Sequence, residues 1–122
     1  MVALTHLKRR AEFLRVAGSK RKWVAPGLIL QAAAGARREA ELVNPAPRIG
    51  YTASRKVGGA VVRNRARRRL RAAVAALMPL HAAPGHDYVL VARAATVRRP
   101  YAEILGDLEQ GLRRLGLWRD GR

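Results

Sequence analysis

The sequence contains no cysteine, and it has only eight acidic residues against 25 lysines and arginines. The lack of cysteine excludes disulfides, thiolate metal sites and cysteine nucleophiles, and it fits the reducing cytoplasm where we expect the protein. A basic cluster at residues 8–10 leaves no apolar run of signal-peptide length near the N-terminus. The longest weakly polar run, residues 24–36, is interrupted by Pro26 and Gly27 and is too short to span a bilayer. We therefore expect no membrane partner.

The composition that remains is that of a folded and strongly cationic domain. Residues 1–122 have the length of a single domain, and 49% of them are hydrophobic, which is enough for one core. The formal net charge is +17 at pH 7. Charges of one sign at this density repel one another, so we expect a polyanion such as RNA to be the partner.

Hydrophobic periodicity and turn residues predict the order α-β-β-β-α-β-α, which is typical of a two-layer α+β sandwich. Pro79 is expected to end the second helix and Gly116 the third. The predicted segments are a helix between Thr5 and Gly18, strands at 20–25, 28–34 and 48–54, a helix at 60–77, a strand at 87–92 and a helix beginning at Pro100.

The start of the first helix is ambiguous in the sequence. If it begins near Leu4, Leu7 faces the core and Phe13 lies roughly opposite. If it begins near Arg10, Phe13, Val16 and Ala17 share one face. Because Phe13 is the only phenylalanine of the chain, the two registers imply different roles for its ring.

The predicted strand RIGYTAS, residues 48–54, has one face of unusually small side chains. Alternation along a strand places Gly50, Thr52 and Ser54 together on one side, and Ile49 and Tyr51 on the other. A glycine among small hydroxyl residues indicates that another part of the structure packs closely against this face.

The segment that follows, residues 54–71, is the most distinctive part of the sequence. Eight of its eighteen residues are arginine or lysine, and none is acidic. Gly58 and Gly59 allow a sharp turn, after which a helix presents a narrow apolar stripe and two cationic flanks of unequal size. The stripe is predicted to contain Val62, Ala66, Leu70, Ala73 and Leu77, the larger flank Arg63, Asn64, Arg67, Arg68 and Arg71, and the smaller flank Arg65 and Arg69.

Arginine is suited to this arrangement because its planar fork forms two hydrogen bonds with phosphate and also stacks on bases. Without acids to pair with it, such a helix is better explained by a nucleic-acid partner than by a solvated charged face.

Residues 48–71 resemble the hallmark segment of the bacterial ribonuclease P protein component. The matching parts are RIGYTASRK, the turn VGG, and AVVRNRARRRLR, in which the R-N-x-x-[KR]-R-x-x-R spacing is specific. Weaker matches are LKRRAEF near the N-terminus, DYVLVAR at 87–93 and the final amphipathic helix.

This resemblance implies the protein subunit of a ribonucleoprotein that cuts the 5′ leader from precursor tRNA. In that family the RNA subunit holds the catalytic centre and most of the Mg²⁺, so no catalytic or metal-binding residue is expected in this chain. The expected partners are the ribonuclease P RNA and the precursor tRNA leader. The implied fold is a four-stranded sheet with an unusual left-handed β-α-β crossover.

The resemblance also implies a role for individual residues. Phe13 and Thr52 match positions that line a cleft for the leader. A second aromatic of the first helix is replaced by Ala17, and an aromatic of the second strand by Gln31, which predicts weaker base stacking. The positions that match RNA-binding residues are Arg55, Lys56, Arg63, Asn64, Arg67, Arg68 and Arg71.

Other readings explain less of the sequence. Its three histidines are scattered, and no pair of carboxylates suggests a nuclease centre within the protein. Trp23 and Trp118 could stack on bases, but packing against basic side chains is the favoured interpretation.

A ribosomal or other structural RNA-binding protein is the main alternative function. A DNA reader is disfavoured because arginines on two flanks suit contacts with a phosphate backbone.

Overall fold

A computed structural model describes residues 4–35 and 46–121 of the chain. These residues form five strands, three α-helices and one short 3₁₀ turn, joined by loops. In chain order they are β1 (Thr5–His6), α1 (Arg10–Gly18), β2 (Lys22–Val24), β3 (Leu28–Ala34), β4 (Arg48–Thr52), α2 (Ala60–His81), β5 (His86–Ala92), the 3₁₀ turn (Ala94–Val97) and α3 (Tyr101–Arg114).

The five strands form one mixed sheet in the order β1-β4-β5-β3-β2. The strand β5 lies between β4, with which it is parallel, and β3, with which it is antiparallel. Because β4 and β5 are parallel, α2 is the crossover that joins them. The handedness of this crossover stays a prediction.

Alternating residues of the central strands supply two hydrophobic clusters on opposite faces of the sheet. The larger cluster contains Leu30 and Leu90 together with the buried side chains of α2 and α3. The smaller cluster contains Val89 and Val16, with Phe13 of α1 packed against it. The predicted two-layer arrangement therefore describes the sheet with α2 and α3, and α1 adds a small layer on the other face.

The prediction of four strands was wrong, because residues near the N-terminus form a fifth. The strand β1 pairs in parallel with β4, Thr5 with Arg48 and His6 with Ile49. The backbone N–H of Leu7 donates to the carbonyl of Ile49 at 2.9 Å. Two residues are too few to show a strand pattern in the sequence, and this strand exists because β4 offers an unpaired edge.

The helix α1 begins at Arg10, so the second of the two registers is the one observed. The Glu12 carboxylate accepts the backbone N–H groups of Arg9 at 3.0 Å and Lys8 at 3.2 Å, and thereby satisfies donors at the helix start. Phe13 and Val16 face the sheet, whereas Leu14 is exposed.

The helix α2 does not stop before Pro79, as predicted, but continues to His81. A proline in the last turn removes only one backbone hydrogen bond, and packing compensates for this loss. Met78 is fully buried, and the ring of His81 stacks on Trp118 at a centroid distance of 4.0 Å. The buried stripe of α2 is shifted from the predicted one towards the C-terminal end of the helix: Val74 and Met78 are buried in addition to the predicted Ala66, Leu70 and Ala73, whereas Val62 is exposed and Leu77 is only partly buried.

None of the helices in residues 4–35 and 46–121 is both long and apolar enough to cross a membrane.

Candidate nucleic-acid interface

A tight turn connects β4 with α2 and presents two cations to solvent. The N–H of Val57 donates to the carbonyl of Ser54 at 3.0 Å, and that of Gly58 to Arg55 at 3.2 Å. Gly58 has φ +148°, a conformation that L side chains rarely adopt, so glycine is required there. The side chains of Arg55 and Lys56 are exposed on this turn, immediately before the N-terminus of α2.

The larger cationic flank of α2 is formed as predicted. Asn64, Arg68 and Arg71 are exposed, and Arg63 and Arg67 are half-buried. The Arg67 Nη1 donates to Asn64 Oδ1 at 3.0 Å, so the asparagine orients a neighbouring guanidinium.

The smaller flank of α2 is partly used within the protein. The Arg69 guanidinium donates to the carbonyl of Arg99, just before α3. Arg65 on the same flank is exposed. This flank is therefore less available to a partner than the larger one.

The arginines of α2 lack carboxylate partners among the residues that the structure describes. Five carboxylates in those parts of the chain pair instead with arginines outside α2: Glu12 and Asp87 with Arg48, Glu103 and Asp107 with Arg99, and Glu109 with Arg113. The positive charge of α2 is thus left for another molecule to neutralise.

A groove lies between α1, β4 and α2. Its inner part is a pocket of about 360 Å³, in which Phe13 and Gly50 face Arg67 and Arg71 across Tyr51. Its outer part has a volume of about 450 Å³ and extends past Thr52; it is also lined by Lys8, Arg10, Phe13, Tyr51, Ala53 and Arg67. Two aromatic rings, a small-residue strand and several cations therefore border two adjoining pockets that share Phe13, Tyr51 and Arg67.

The floor of the groove depends on the absence of a side chain at Gly50. A Cβ added there would lie 2.4 Å from Cε1 and 2.6 Å from Cζ of Phe13. The prediction that something packs closely on the small face of this strand is confirmed, and the packed group is the only phenylalanine.

Tyr51 is a groove residue that the sequence did not suggest. The guanidinium of Arg71 lies 5.3 Å from the centroid of its ring, in a cation–π contact. Burial raises the pKa of Tyr51 to about 12, and the charge of Arg71 offsets this only in part. The phenol is therefore neutral at physiological pH and adds no negative charge to the groove.

The predicted site residues thus fall into two sets. Phe13, Thr52, Arg67 and Arg71 meet at the groove. Lys8, Arg10 and Tyr51 line it as well but were missed, since only their spatial neighbours reveal them. The remaining predicted residues lie on the turn or along α2 outside the groove: Arg55, Lys56, Arg63, Asn64 and Arg68.

A buried ionic network fixes α1 against the sheet and so sets the position of Phe13. Asp87 is fully buried at the start of β5 and accepts hydrogen bonds from Arg48, Nε at 2.9 Å and Nη2 at 2.8 Å, and from Arg15 of α1. Arg48 also pairs with Glu12, at 2.5 Å. Backbone N–H groups, first that of Arg9, hold the pKa of Glu12 below its usual value, with a smaller contribution from Arg48.

In the described parts of the chain, no three His, Asp or Glu side chains are grouped so that they could hold a metal ion. The groups that the groove offers are its cations and the rings of Phe13 and Tyr51.

A Gly50→Ala substitution tests the close packing at the groove floor. The added methyl displaces the Phe13 ring, so we expect the protein to lose about 1–2 kcal/mol of unfolding free energy and the ring to move towards the groove mouth. Denaturant unfolding and the NMR shifts of the ring measure the two effects. Gly106→Ala is the matched control, because a Cβ at Gly106 meets no atom within 4 Å; unchanged stability in Gly50→Ala would contradict the geometry.

Comparison with known proteins agrees with this arrangement. The family described as Ribonuclease P matches residues 1–116. The Ribonuclease P protein component of Paramagnetospirillum magneticum is 54% identical over 113 residues, 93% of this chain and 84% of that protein. The protein with the same description from Gluconacetobacter diazotrophicus is 49% identical over 111 residues, 91% of this chain and 90% of its own length.

Two solved structures share the fold. The RNase P protein of Staphylococcus aureus superposes with a TM-score of 0.73 at 21% identity and covers 93% of this chain and 97% of its own. That of Thermotoga maritima gives a TM-score of 0.66 at 19% identity, over 84% of this chain and 90% of its own. The predicted α+β class is thereby confirmed.

Proposed function

The chain belongs to the ribonuclease P protein family, as the resemblance of residues 48–71 predicted, and on this premise we propose how it binds RNA. The holoenzyme of this family is a ribonucleoprotein and an endoribonuclease of tRNA processing, so the family implies a ribonuclease P RNA as partner. We infer that α2 and the turn before it bind that RNA, and that the groove holds the 5′ leader of precursor tRNA.

The observation that carries this proposal is the unneutralised charge of α2 beside the groove. An exposed or half-buried arginine recurs along the larger flank, and five of the described carboxylates pair with arginines outside α2. Phosphates of a folded RNA would supply the missing counter-charge, and each guanidinium offers a fork that fits them. Arg55, Lys56 and the positive end of the α2 dipole extend this surface past the start of the helix.

The groove has the properties that a single RNA strand requires. Phe13 offers a face on which a base stacks, and base–aromatic stacking contributes about 1–3 kcal/mol per base. Lys8, Arg10 and Arg67 border the same depression and would hold the phosphates on either side of that base. The hydroxyl of Thr52 adds a hydrogen-bonding group that suits a ribose or base edge.

Two positions lower the stacking capacity of the site. Ala17 is exposed and carries no ring. Gln31 lies in β3, which β5 separates from the groove strand β4. We propose that the leader is held by Phe13 and by the cations around it, with less stacking than two further aromatics would give.

We propose that the catalytic centre and its Mg²⁺ ions belong to the RNA subunit. The carboxylates a protein nuclease would use for metal binding are engaged elsewhere in this fold. Asp87 and Asp107 are buried, and each is held by arginine at hydrogen-bond distance. The protein would act by screening charge and positioning substrate, and would thus lower the Mg²⁺ concentration that cleavage requires.

Reconstitution tests the proposal directly. The full chain is added to ribonuclease P RNA at low Mg²⁺, and the cleavage site in precursor tRNA is mapped. We expect accurate removal of the 5′ leader only when both components are present. A structural RNA-binding protein of another kind would give no accurate cleavage, and cleavage by the protein without RNA would contradict the assignment of the catalytic centre.

A Phe13→Ala substitution tests the leader groove. Loss of one stacking contact is expected to weaken binding of leader-bearing precursor by roughly 5- to 100-fold, since stacking contributes about 1–3 kcal/mol per base. Binding of mature tRNA, which has no leader, should change little. Affinities of the reconstituted holoenzyme for the two RNAs provide the comparison, and Leu14→Ala, an exposed position of the same helix, is the control. Equal losses for both RNAs would contradict the groove assignment.

A further inference from the structure

A second basic surface lies at the C-terminal end of α3. Four exposed arginines form it: Arg21, which precedes the edge strand β2, and three from α3 and the residues after it. Glu109, paired with Arg113 at 3.0 Å, and the exposed Asp120 are the carboxylates that adjoin it in sequence. We refer to this set as the α3-end surface: Arg21, Arg113, Arg114 and Arg119.

Both tryptophans of the chain support arginines of this surface. The guanidinium of Arg114 lies 5.2 Å from the ring centroid of Trp23, and that of Arg113 lies 4.6 Å from the ring of Trp118. The favoured prediction for the tryptophans, packing against basic side chains, is therefore confirmed. Arg21 is also fixed, because its Nη2 donates to the carbonyl of Leu115 at 2.7 Å.

This anchoring matters for recognition. A guanidinium already held against a ring or a carbonyl loses less side-chain entropy when it binds an anion, and its outer N–H groups remain free for phosphate. In a +17 protein, arginines held close together in this way repel one another until a counter-charge arrives.

The α3-end surface is separate from the groove and from the arginines of α2. The strand β2 lies three strands from β4, which is about 14 Å at the usual inter-strand spacing. His81, which stacks on Trp118, lies about 21 Å along α2 from Arg67 at the usual helical rise. Both separations exceed the Debye length of about 8 Å at physiological salt, so the two surfaces bind anions almost independently.

We propose that the α3-end surface binds a second stretch of RNA phosphate backbone, distinct from that bound by α2 and the groove. This inference rests on the proposed function, because the RNA of the holoenzyme is the polyanion within reach. We expect these anchored guanidinium groups to bind RNA in preference to an acidic protein. An RNA backbone presents phosphates in a continuous row, whereas the carboxylates of a protein occur singly.

The salt dependence of binding tests this second contact. The double variant Arg21→Gln and Arg114→Gln is titrated with ribonuclease P RNA at several salt concentrations. Removal of two phosphate contacts should flatten the log–log salt slope by roughly 1–2 units and lower affinity by roughly 10-fold at about 0.15 M salt. The charge-retaining control, Arg21→Lys with Arg114→Lys, should keep the wild-type slope.

Directed cleavage locates the contact on the RNA. Because the chain has no cysteine, one introduced thiol can carry a tethered iron chelate that cuts nearby RNA. Gln110→Cys, exposed one turn before Arg114, reports on the α3-end surface, and Ala72→Cys, exposed on α2, reports on the other. We expect two separate sets of cuts.

The outcomes separate this inference from the proposed function. If the wild-type protein fails to bind the RNA, both the proposed function and the second RNA contact are overturned. If it binds and the double variant keeps the same slope and affinity, or if the chelate at position 110 cuts nothing, the second contact alone is overturned.

Discussion

Replacement of Asp87 by asparagine is expected to cost about 3 kcal/mol of unfolding free energy, the lower end of the range for breaking a buried ion pair. Asp87 is fully buried, and both Arg15 and Arg48 direct their guanidinium groups at it. Asparagine keeps the shape but leaves two cations facing a neutral group. The lower end of the range applies because both arginines are partly exposed and regain some hydration.

Urea or thermal unfolding monitored by circular dichroism measures this loss. Asp120→Asn is the matched control, since it removes an equal charge at an exposed position and should change stability by no more than about 0.5 kcal/mol. If both variants unfold at the same denaturant concentration, the network does not hold α1 to the sheet. A loss of leader binding with Asp87→Asn at temperatures where it remains folded would show that the network also positions Phe13.

Neutralisation of Arg67, Arg68 and Arg71 together by glutamine is expected to weaken binding to ribonuclease P RNA by roughly 50- to 150-fold at about 0.15 M salt. Each arginine is taken to neutralise one phosphate, so the log–log salt slope should flatten by roughly 2–3 units. Glutamine has nearly the helix propensity of arginine, so α2 itself should persist.

A charge-retaining triple variant separates charge from geometry. Lysine at all three positions keeps the salt slope but loses the planar fork, so we expect a smaller loss of affinity with the wild-type slope. Filter binding or fluorescence titration at several salt concentrations supplies both quantities. An unchanged slope in the glutamine variant would show that α2 does not contact the RNA backbone.

Sequence reasoning succeeded where a local pattern carries the structure. The strand β3 was predicted at 28–34 and is observed at those residues, because its apolar run is long and bounded by Pro26-Gly27. The arginine flank of α2 and the small face of β4 follow from periodicities of about 3.6 and two residues. These are properties that each segment has before the chain folds.

Failures arose where partners are distant in sequence. The strand β1 depends on β4, more than forty residues away, and α2 passes Pro79 because Met78 and His81 gain contacts with the core and with Trp118. Asp87 is the first residue of the strand predicted at 87–92, and its partners, Arg48 and Arg15, lie 39 and 72 residues earlier. A network whose members are so far apart in the sequence cannot be predicted from any short segment of it.

Tyr51 shows the same limit within the candidate site. Alternation placed it with Ile49, on the side away from Phe13, and it is half-buried beneath α2. It nevertheless borders the groove, because its ring lines the same pocket as Phe13 and contacts the guanidinium of Arg71. A side chain near the edge of the sheet contacts groups on both faces, whereas strand alternation assigns each residue to one face only.

The central position of β5 has a consequence for synthesis on the ribosome. The β1–β4 pair and the β2–β3 pair stay unconnected until residues 86–92 arrive to join them as the central strand. The nascent chain therefore displays α2, with its arginines, before a sheet exists to carry it, and pairing between remote segments is slow. During that interval no completed sheet supports the arginines of α2, so an anion bound to them would favour the folded helix by mass action.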